Sequence, residues 1–415
     1  MFISPLSKNI KYFNNYNSKK YYVKEKIMSS KIKPITSPPS KQELSNRLGK
    51  VKALIKQQNL DYYVSFDPVN IYYLTNFAFY IHERPFILVI PREGLPKMLI
   101  PLLERGHFEQ RALIDHESVT YYEFPARNGE NWFDHYQKLI KKDANIGIES
   151  AMPMGIANKT PGKKIVSDII EEVRIIKSEY EIGRTVHACR VVNKGHKALL
   201  KMCRPKVLEF ALYKEVTNAM TSKIVQDIPN ANFKATQTTG AVWPPSISHD
   251  PHLVPHIFAE MEEGGPHVSI VQAQVDGYGV EIERTFFLGK VPEKTEKPFK
   301  TMFEARSMAY DLLKPGTIMS EIDKKVRKFI KDQGYGDYIL HRTGHGLGIT
   351  GHEAPYIAEG YDHKLEPGMI VSVEPGIYIP GVGGFRHSDT VLITKDGHQK
   401  LTEAPETLEE VTIEF

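Results

Sequence analysis

Cysteine is nearly absent: two residues, Cys189 and Cys203, in a chain of 415. They fall close together in what reads as one helical segment, so neither a disulfide framework nor a thiolate metal cage is available, and nothing requires an oxidising compartment. Long apolar runs are missing as well. The longest, such as Phe86 to Ile90, fall far short of the roughly 20 residues that cross a bilayer, which excludes a membrane-spanning helix. A strong net charge is also missing once the head is set aside. Residues 1–40 hold eight lysines against one acid, Glu25, so +7 of a formal total of +4 lies there and the rest of the chain carries −3. A mildly acidic body without a basic stripe is a poor binder of polyanions, which need clustered Lys and Arg. Nucleic acid and membrane are therefore excluded as partners.

What is present is enough apolar material for a large core. At 41% hydrophobic and 25% charged, a chain of this length is expected to fold as two domains, and wholesale disorder is excluded. Residues 1–40 read as a disordered or targeting extension. Residues 1–27 have the Lys, Tyr, Asn and Ser content of a mitochondrial presequence, but the stretch lacks arginine, so a low-complexity tail and a cytoplasmic location are the expectation.

From Ser40, Leu44, Leu48, Val51 and Leu54 mark one face of a helix. Short β-branched and aromatic runs follow (LDYYVSF, FILVIP, KMLIP), giving an α/β pattern over residues 41–170. A second helical region is expected from about Ile165 to Ile176, running on through residues 174–202 for about eight turns. Over residues 171–415, helices at 172–203, 207–225, 295–313 and 319–333 alternate with the runs VSIVQAQV, YGVEIERTFFLG, MIVSVEPGIYI and DTVLITKDG. This suits one antiparallel or mixed sheet with helices on one side, so the fold class is α+β.

Four segments in the second half carry chemistry. HRTGHGLGITGHE (341–353) packs three histidines among four glycines. Glycine opposes a helix there and permits close backbone approach, so an ordered, ligand-facing loop is expected. In MIVSVEPGIYIPGVGGFRHSDTVLIT (369–394), alternation places Ser372 with Glu374, and Arg386 with Ser388. Glu374 among apolar neighbours must be paired, metal-bound or proton-sharing. In GYGVEIERTFFLG (277–289), Glu281, Glu283 and Thr285 share a face. Two adjacent carboxylates there repel unless a cation lies between them, whether a metal, an Arg or Lys, or a substrate amine or guanidinium. SISHDPHLVPH (246–256) sets His249, His252 and His256 among prolines, off any regular helix. Loop histidines are more often solvated than catalytic, yet histidine exchanges protons near neutral pH and one of the three can serve the carboxylates.

Together these segments resemble the creatinase and aminopeptidase P family. The resemblance rests on RIIKSEYEI (174–182), GHGLGITGHEAP (344–355), LEPGMIVSVEPGIYIP (365–380), GGFRHSDTVLIT (383–394) and, in the first half, LDYYVSFDPVNIYYLTNF (60–77). It implies an N-terminal creatinase/prolidase-like domain followed by a pita-bread catalytic domain, a hydrolase activity, and a homodimer in which one subunit's N-terminal domain borders the other's site. His82, Glu83 and Arg84 are the candidates for that contribution. Peptidases of the family hold two metal ions with Asp, Asp, His, Glu and Glu. The resemblance puts the histidine at His345, a glutamate at Glu374 and a carboxylate at Glu281. The other two positions fall on Ile270 and Ser388, neither of which is an acid. Asp389 or His387 would replace them only if the strand register slipped.

Losing two acidic ligands leaves a pair of divalent ions under-neutralised, so no paired site is expected. The leading expectation is a creatinase-like hydrolase of a C–N bond in a small, cationic substrate, with no cofactor. Glu281, Glu283, His352 and Arg386 would bind the substrate, and His252, His345 and Glu374 would be catalytic. The alternative is an Xaa-Pro aminopeptidase or dipeptidase with one divalent ion (Mn, Co or Zn) at Glu281, His345 and Glu374. A third reading is a non-catalytic pita-bread domain that binds a peptide.

Overall fold

Ser40 opens the first helix: its hydroxyl accepts from Glu43 N–H, and Lys41–Gln57 follow as helix with Leu44, Val51 and Ile55 buried on the predicted face. The computed structural model describes residues 32–415, so the presequence expectation for residues 1–27 lies outside the described residues.

The first half is built on a six-stranded mixed sheet: β1 (Tyr62–Ser65), β2 (Ile87–Pro91), β3 (Lys97–Pro101), β4 (Glu117–Tyr121), β5 (Asn145–Ile148) and β6 (Lys163–Val166) in the order β4-β3-β2-β1-β5-β6. Strand alternation gives it two apolar faces. Tyr63, Leu88 and Ile90 pack with the first helix, while Val64, Ile87 and Val89 pack with Trp132 and Tyr136. Ile165 and Val166, expected to begin a helix, are the exposed end of the edge strand β6.

The continuous helix expected through residues 174–202 is interrupted. One helix ends at Arg174 and the next begins at Glu179. The break has a local cause: the Ser178 hydroxyl and the Glu181 carboxylate cap each other's backbone N–H groups, and Lys177 N–H donates to Gly368 O at 3.0 Å.

The second half departs from a single sheet. One sheet comprises β7 (Gln237–Trp243), β8 (Gly264–Val275), β9 (Tyr278–Leu288) and β17 (Thr412–Ile413), in the order β17-β9-β8-β7. A second comprises β10 (Gly344–Gly346), β11 (Glu353–Ile357), β12 (Ile370–Val373), β15 (Asp389–Thr394) and β16 (Gly397–Lys400), in the order β11-β10-β12-β15-β16. A hairpin of β13 (Gly376–Ile379) and β14 (Gly383–Arg386) stands between. The two sheets meet where Glu283 and Ser388 exchange backbone hydrogen bonds, each at 3.1 Å. The helices Glu179–Met202, Glu209–Asp227, Glu293–Leu312 and Met319–Ile330 contribute to one core with both sheets, through residues such as Val192, Val216, Met302 and Val326. The two halves are also tied together. Arg47 donates to the Tyr278 hydroxyl at 2.9 Å, and Glu353 takes charges from both Arg174 and Lys177. Burial opposes the Glu353 charge, but those two cations pull its carboxyl down to about 2.

Glu209 is a cost inside this core. Buried at the start of its helix, it accepts only from Val242 N–H, at 3.0 and 3.2 Å, and burial pushes its carboxyl up to about 7. The folded protein therefore holds this proton more tightly than the unfolded chain. The stability that this proton gives is fullest below the ordinary carboxyl value of 4.5 and is lost as pH rises through about 7. Glu209→Gln is expected to leave the melting temperature unchanged at pH 4 and to stabilise at pH 8 by roughly 3–3.5 kcal/mol, given ~1.4 kcal/mol per pKa unit. Thermal denaturation of both proteins at the two pH values measures this, and a pH-independent difference would refute the assignment.

Candidate active site

Period-two alternation along β9 sorts its polar residues to opposite sides. Ile282 enters the core, and Arg284 reaches Asp389 Oδ1 at 3.0 Å. Asp389 is fully buried with Arg284, Arg306 and Thr402 around it. Burial opposes its charge, but the two guanidinium groups hold the carboxyl well below the usual carboxylate range. His387 is buried on that same side, with Nε2 3.3 Å from Thr285 O and its ring edge-on to Phe299. Neither Asp389 nor His387 is placed as a replacement ligand, because both lie on the far side of the strand, where Asp389 is paired with Arg284 and Arg306.

The other side of β9 presents Glu281 and Glu283, as the alternation requires. Glu281 accepts from Ser388 Oγ at 3.1 Å and from Gln272 Nε2 at 3.3 Å. Ser388 thus occupies one missing-ligand position and holds Glu281 by a hydrogen bond. Ile270 stands across from Glu283 in the β8–β9 ladder, where it offers only hydrocarbon. Glu283 is taken up by Arg386, whose Nη2 donates to Oε1 at 2.7 Å while Nε lies 2.5 Å from Oε2. Burial works against the Arg386 charge, yet Glu283 and its neighbours hold the guanidinium above its ordinary value. The cation that the two adjacent glutamates require is therefore supplied by the protein. Glu283, expected to bind substrate, is thus already engaged by a cation of the protein itself.

The glycines of residues 341–353 let the second sheet close on this face, partly as the short strand β10 rather than wholly as a loop. A Cβ on Gly344 would meet Ser372 O at 2.1 Å, and one on Gly348 would meet Glu353 Oε1 at 2.1 Å. That approach delivers His345. Its Nδ1–H donates to Gly346 O at 3.1 Å, leaving Nε2 3.5 Å from Glu281 Oε1 and 3.2 Å from Glu374 Oε1. Nε2 is buried and forms no well-aligned hydrogen bond. Burial disfavours charge on the ring, but Glu281 and Glu374 push the imidazole up to about 10. Reciprocally, His345 overrides burial and draws the Glu374 carboxyl down to about 2. His352, exposed at the rim, lies with its ring centroid 3.9 Å from that of His345. Burial and the neighbouring His345 lower its pKa.

Sequence reasoning missed a second pair beside Glu374. His341 Nε2 is 2.8 Å from the Tyr378 hydroxyl, and burial lowers the His341 pKa. Tyr378 carried no sequence signal beyond its strand position. Of the three proline-flanked histidines, His252 is the one that contributes, as the smallest of several causes, to the lowered pKa of His341; it is exposed, on a loop. His256 is exposed and engaged in its own turn, accepting from Phe258 N–H at 3.2 Å. In the first half, Arg84 pairs with Glu83 and Glu123 on the surface.

Among the described residues, one group of three or more metal-ligating side chains has its ligand atoms within 4.8 Å of one another: Glu281, His345 and His352. Glu374 joins it through His345. Two carboxylates flanking one imidazole nitrogen suit a single divalent ion. A second ion would face the side chain of Ile270 and the Ser388 hydroxyl, so the residues do not fit a pair.

Comparison with known proteins places this geometry in a family. The model of metallopeptidase family M24 matches residues 184–395, and that of the creatinase/prolidase N-terminal domain matches residues 47–176. The dipeptidase candidate YkvY of Bacillus subtilis (strain 168) is 30% identical, over 88% of this chain and 99% of its own length. The Xaa-Pro dipeptidase of Pyrococcus furiosus is 29% identical over 88% and 100%. The prolidase structure from Pyrococcus horikoshii OT3 superposes with a TM-score of 0.73 at 26% identity, covering 88% of this chain and 99% of that one. Aminopeptidase P from E. coli, at 19% identity and a TM-score of 0.71, shares the fold over 90% and 98%. The chain is a hydrolase of metallopeptidase family M24, with a creatinase-type N-terminal domain and a pita-bread catalytic domain.

Proposed function

We propose that the protein cleaves the amide bond of small Xaa-Pro peptides, with one divalent ion held by Glu281, His345 and Glu374. The observation that carries this reading is the buried His345 Nε2, lying between two carboxylate oxygens at 3.5 and 3.2 Å without a well-aligned hydrogen bond. An ion bound there supplies Lewis acidity to the scissile carbonyl and acidifies water. The chain's own groups do the rest. Ser388 and Gln272 orient Glu281 by hydrogen bonds, and Gly346 O fixes the His345 ring. His352 at the rim positions the peptide. His252, on its exposed loop, protonates the departing nitrogen, while His341 and Tyr378 form the wall next to Glu374.

The metal-free reading with a cationic substrate is weaker on two counts. Its third carboxylate, Glu283, is already paired with Arg386, and two of the relatives, from Pyrococcus horikoshii and Pyrococcus furiosus, are named Xaa-Pro dipeptidases. One feature still favours it: Ile270 and Ser388 stand where a two-ion site needs acids.

Elemental analysis coupled to hydrolysis of Xaa-Pro dipeptides separates the two. About one equivalent of Mn, Co or Zn is expected, with turnover lost on chelation and regained on adding metal. Turnover of creatine-like amides by metal-free protein would reverse the order, and two bound equivalents would contradict the single-ion site.

A further inference from the structure

The sheet face that carries Glu281 extends beyond it. In register, Thr239 of β7 and Gln272 of β8 stand beside Glu281, and Gln237 and Gln274 form the next row out, opposite Gly279. These side chains, with His352 on the opposite wall, line a cavity of about 450 Å³ that opens onto Glu281. Its character is unusual for a peptide side-chain pocket, since such pockets are lined mainly by apolar groups.

Two of its amides are held in a fixed sense. Gln272 Nε2 donates to Glu281, and Gln274 Nε2 donates to Gly277 O at 3.1 Å and Ile349 O at 2.7 Å. Gln274 commits its Nε2 hydrogens to two backbone carbonyls and Gln272 commits one of its two to Glu281, which sets the sense of each amide and leaves its carbonyl oxygen as an acceptor for a molecule in the cavity. The Gln237 amide and Thr239 hydroxyl at the more exposed edge have no hydrogen-bond partner among the described residues, and they bring donors as well as acceptors. A carboxamide meets this set on both sides: its NH₂ answers the two fixed carbonyls, and its C=O answers the edge donors. An aliphatic side chain would strip water from these groups and return nothing.

We propose that this row is the subsite for the side chain of the residue N-terminal to the scissile bond, and that it selects a carboxamide over an aliphatic group of similar length. The proposal rests on the Xaa-Pro reading above. There the proline ring is apolar and has no use for four hydrogen-bonding side chains, which leaves the Xaa side chain as the occupant.

The test compares Gln-Pro with Leu-Pro, using Ala-Pro as a reference too short to reach the outer row, in the metal-loaded protein and in a Gln237→Leu, Thr239→Val double variant. Wild type is expected to favour Gln-Pro over Leu-Pro in kcat/KM by about tenfold, the worth of one to two neutral hydrogen bonds. In the variant that advantage falls below about twofold, while circular dichroism shows an intact fold. Equal or better cleavage of Leu-Pro by wild type overturns the subsite. If neither dipeptide is cleaved, the peptidase reading fails and calorimetric binding decides. Tighter binding of Gln-Pro that disappears in the double variant keeps the subsite, and equal binding removes it.

Discussion

Replacing His252 with alanine is expected to lower kcat by 10²–10⁴-fold, the range for loss of a positioned general acid or base. Stability should change by less than about 0.5 kcal/mol, as for other exposed sites. The two halves of this expectation come from one fact. His252 sits exposed on a proline-bounded loop and packs into no core, yet it is near enough to be one of the minor contributors to the lowered pKa of the buried His341, which bonds Tyr378 next to Glu374. A group so placed can contribute to chemistry without contributing to the fold. Parallel measurement of turnover on an Xaa-Pro dipeptide and of the denaturation midpoint separates these effects. Undiminished turnover would assign the proton transfer elsewhere, with His352 the next group to test. A large fall in both quantities would instead mean that the loop is structural.

The parts of the site that were legible in the sequence are those fixed by strand periodicity. Alternation along residues 278–288 was enough to place Glu281 and Glu283 on one face and Arg284 on the other, and the structure agrees because both faces are buried and a one-residue slip would turn the two glutamates into the core that Ile282 fills. The glycines of residues 344–348 announced close packing for the same kind of local reason. Relations across chain segments were not legible. Nothing in the sequence tells that Glu283 is matched by Arg386 inside the protein rather than by a ligand, since 103 residues separate them. Equally hidden was Ser388, which reads as a lost ligand but acts as a hydrogen-bond donor to Glu281. The helix break at Ile175–Ser178 had a local signal, Ser178 followed three residues later by Glu181. The apolar period running across it masked that signal.

Charge accounting gives the second large effect. Of the four acidic ligand positions that the family resemblance implies, two are kept here, Glu281 and Glu374, and the nearby Glu283 is already neutralised by Arg386. The double substitution Ile270→Asp with Ser388→Glu restores the missing acids at positions that share the face of Glu281. Bound metal is expected to rise from about one to about two equivalents. Without metal, the same protein should be destabilised by roughly 3–5 kcal/mol, because buried carboxylates without partners cost that much. Saturating metal should recover most of the loss through preferential binding to the folded state. The two readouts check each other. A variant that melts low with and without metal has failed to assemble the site, whereas one that melts like wild type without metal has its new carboxylates turned to solvent. If the metal-free variant is destabilised, metal rescues it, and yet only one equivalent binds, then Ile270 and Ser388 are not what excludes the second ion. The cause would then lie with Arg386, whose guanidinium already places a positive charge beside Glu283.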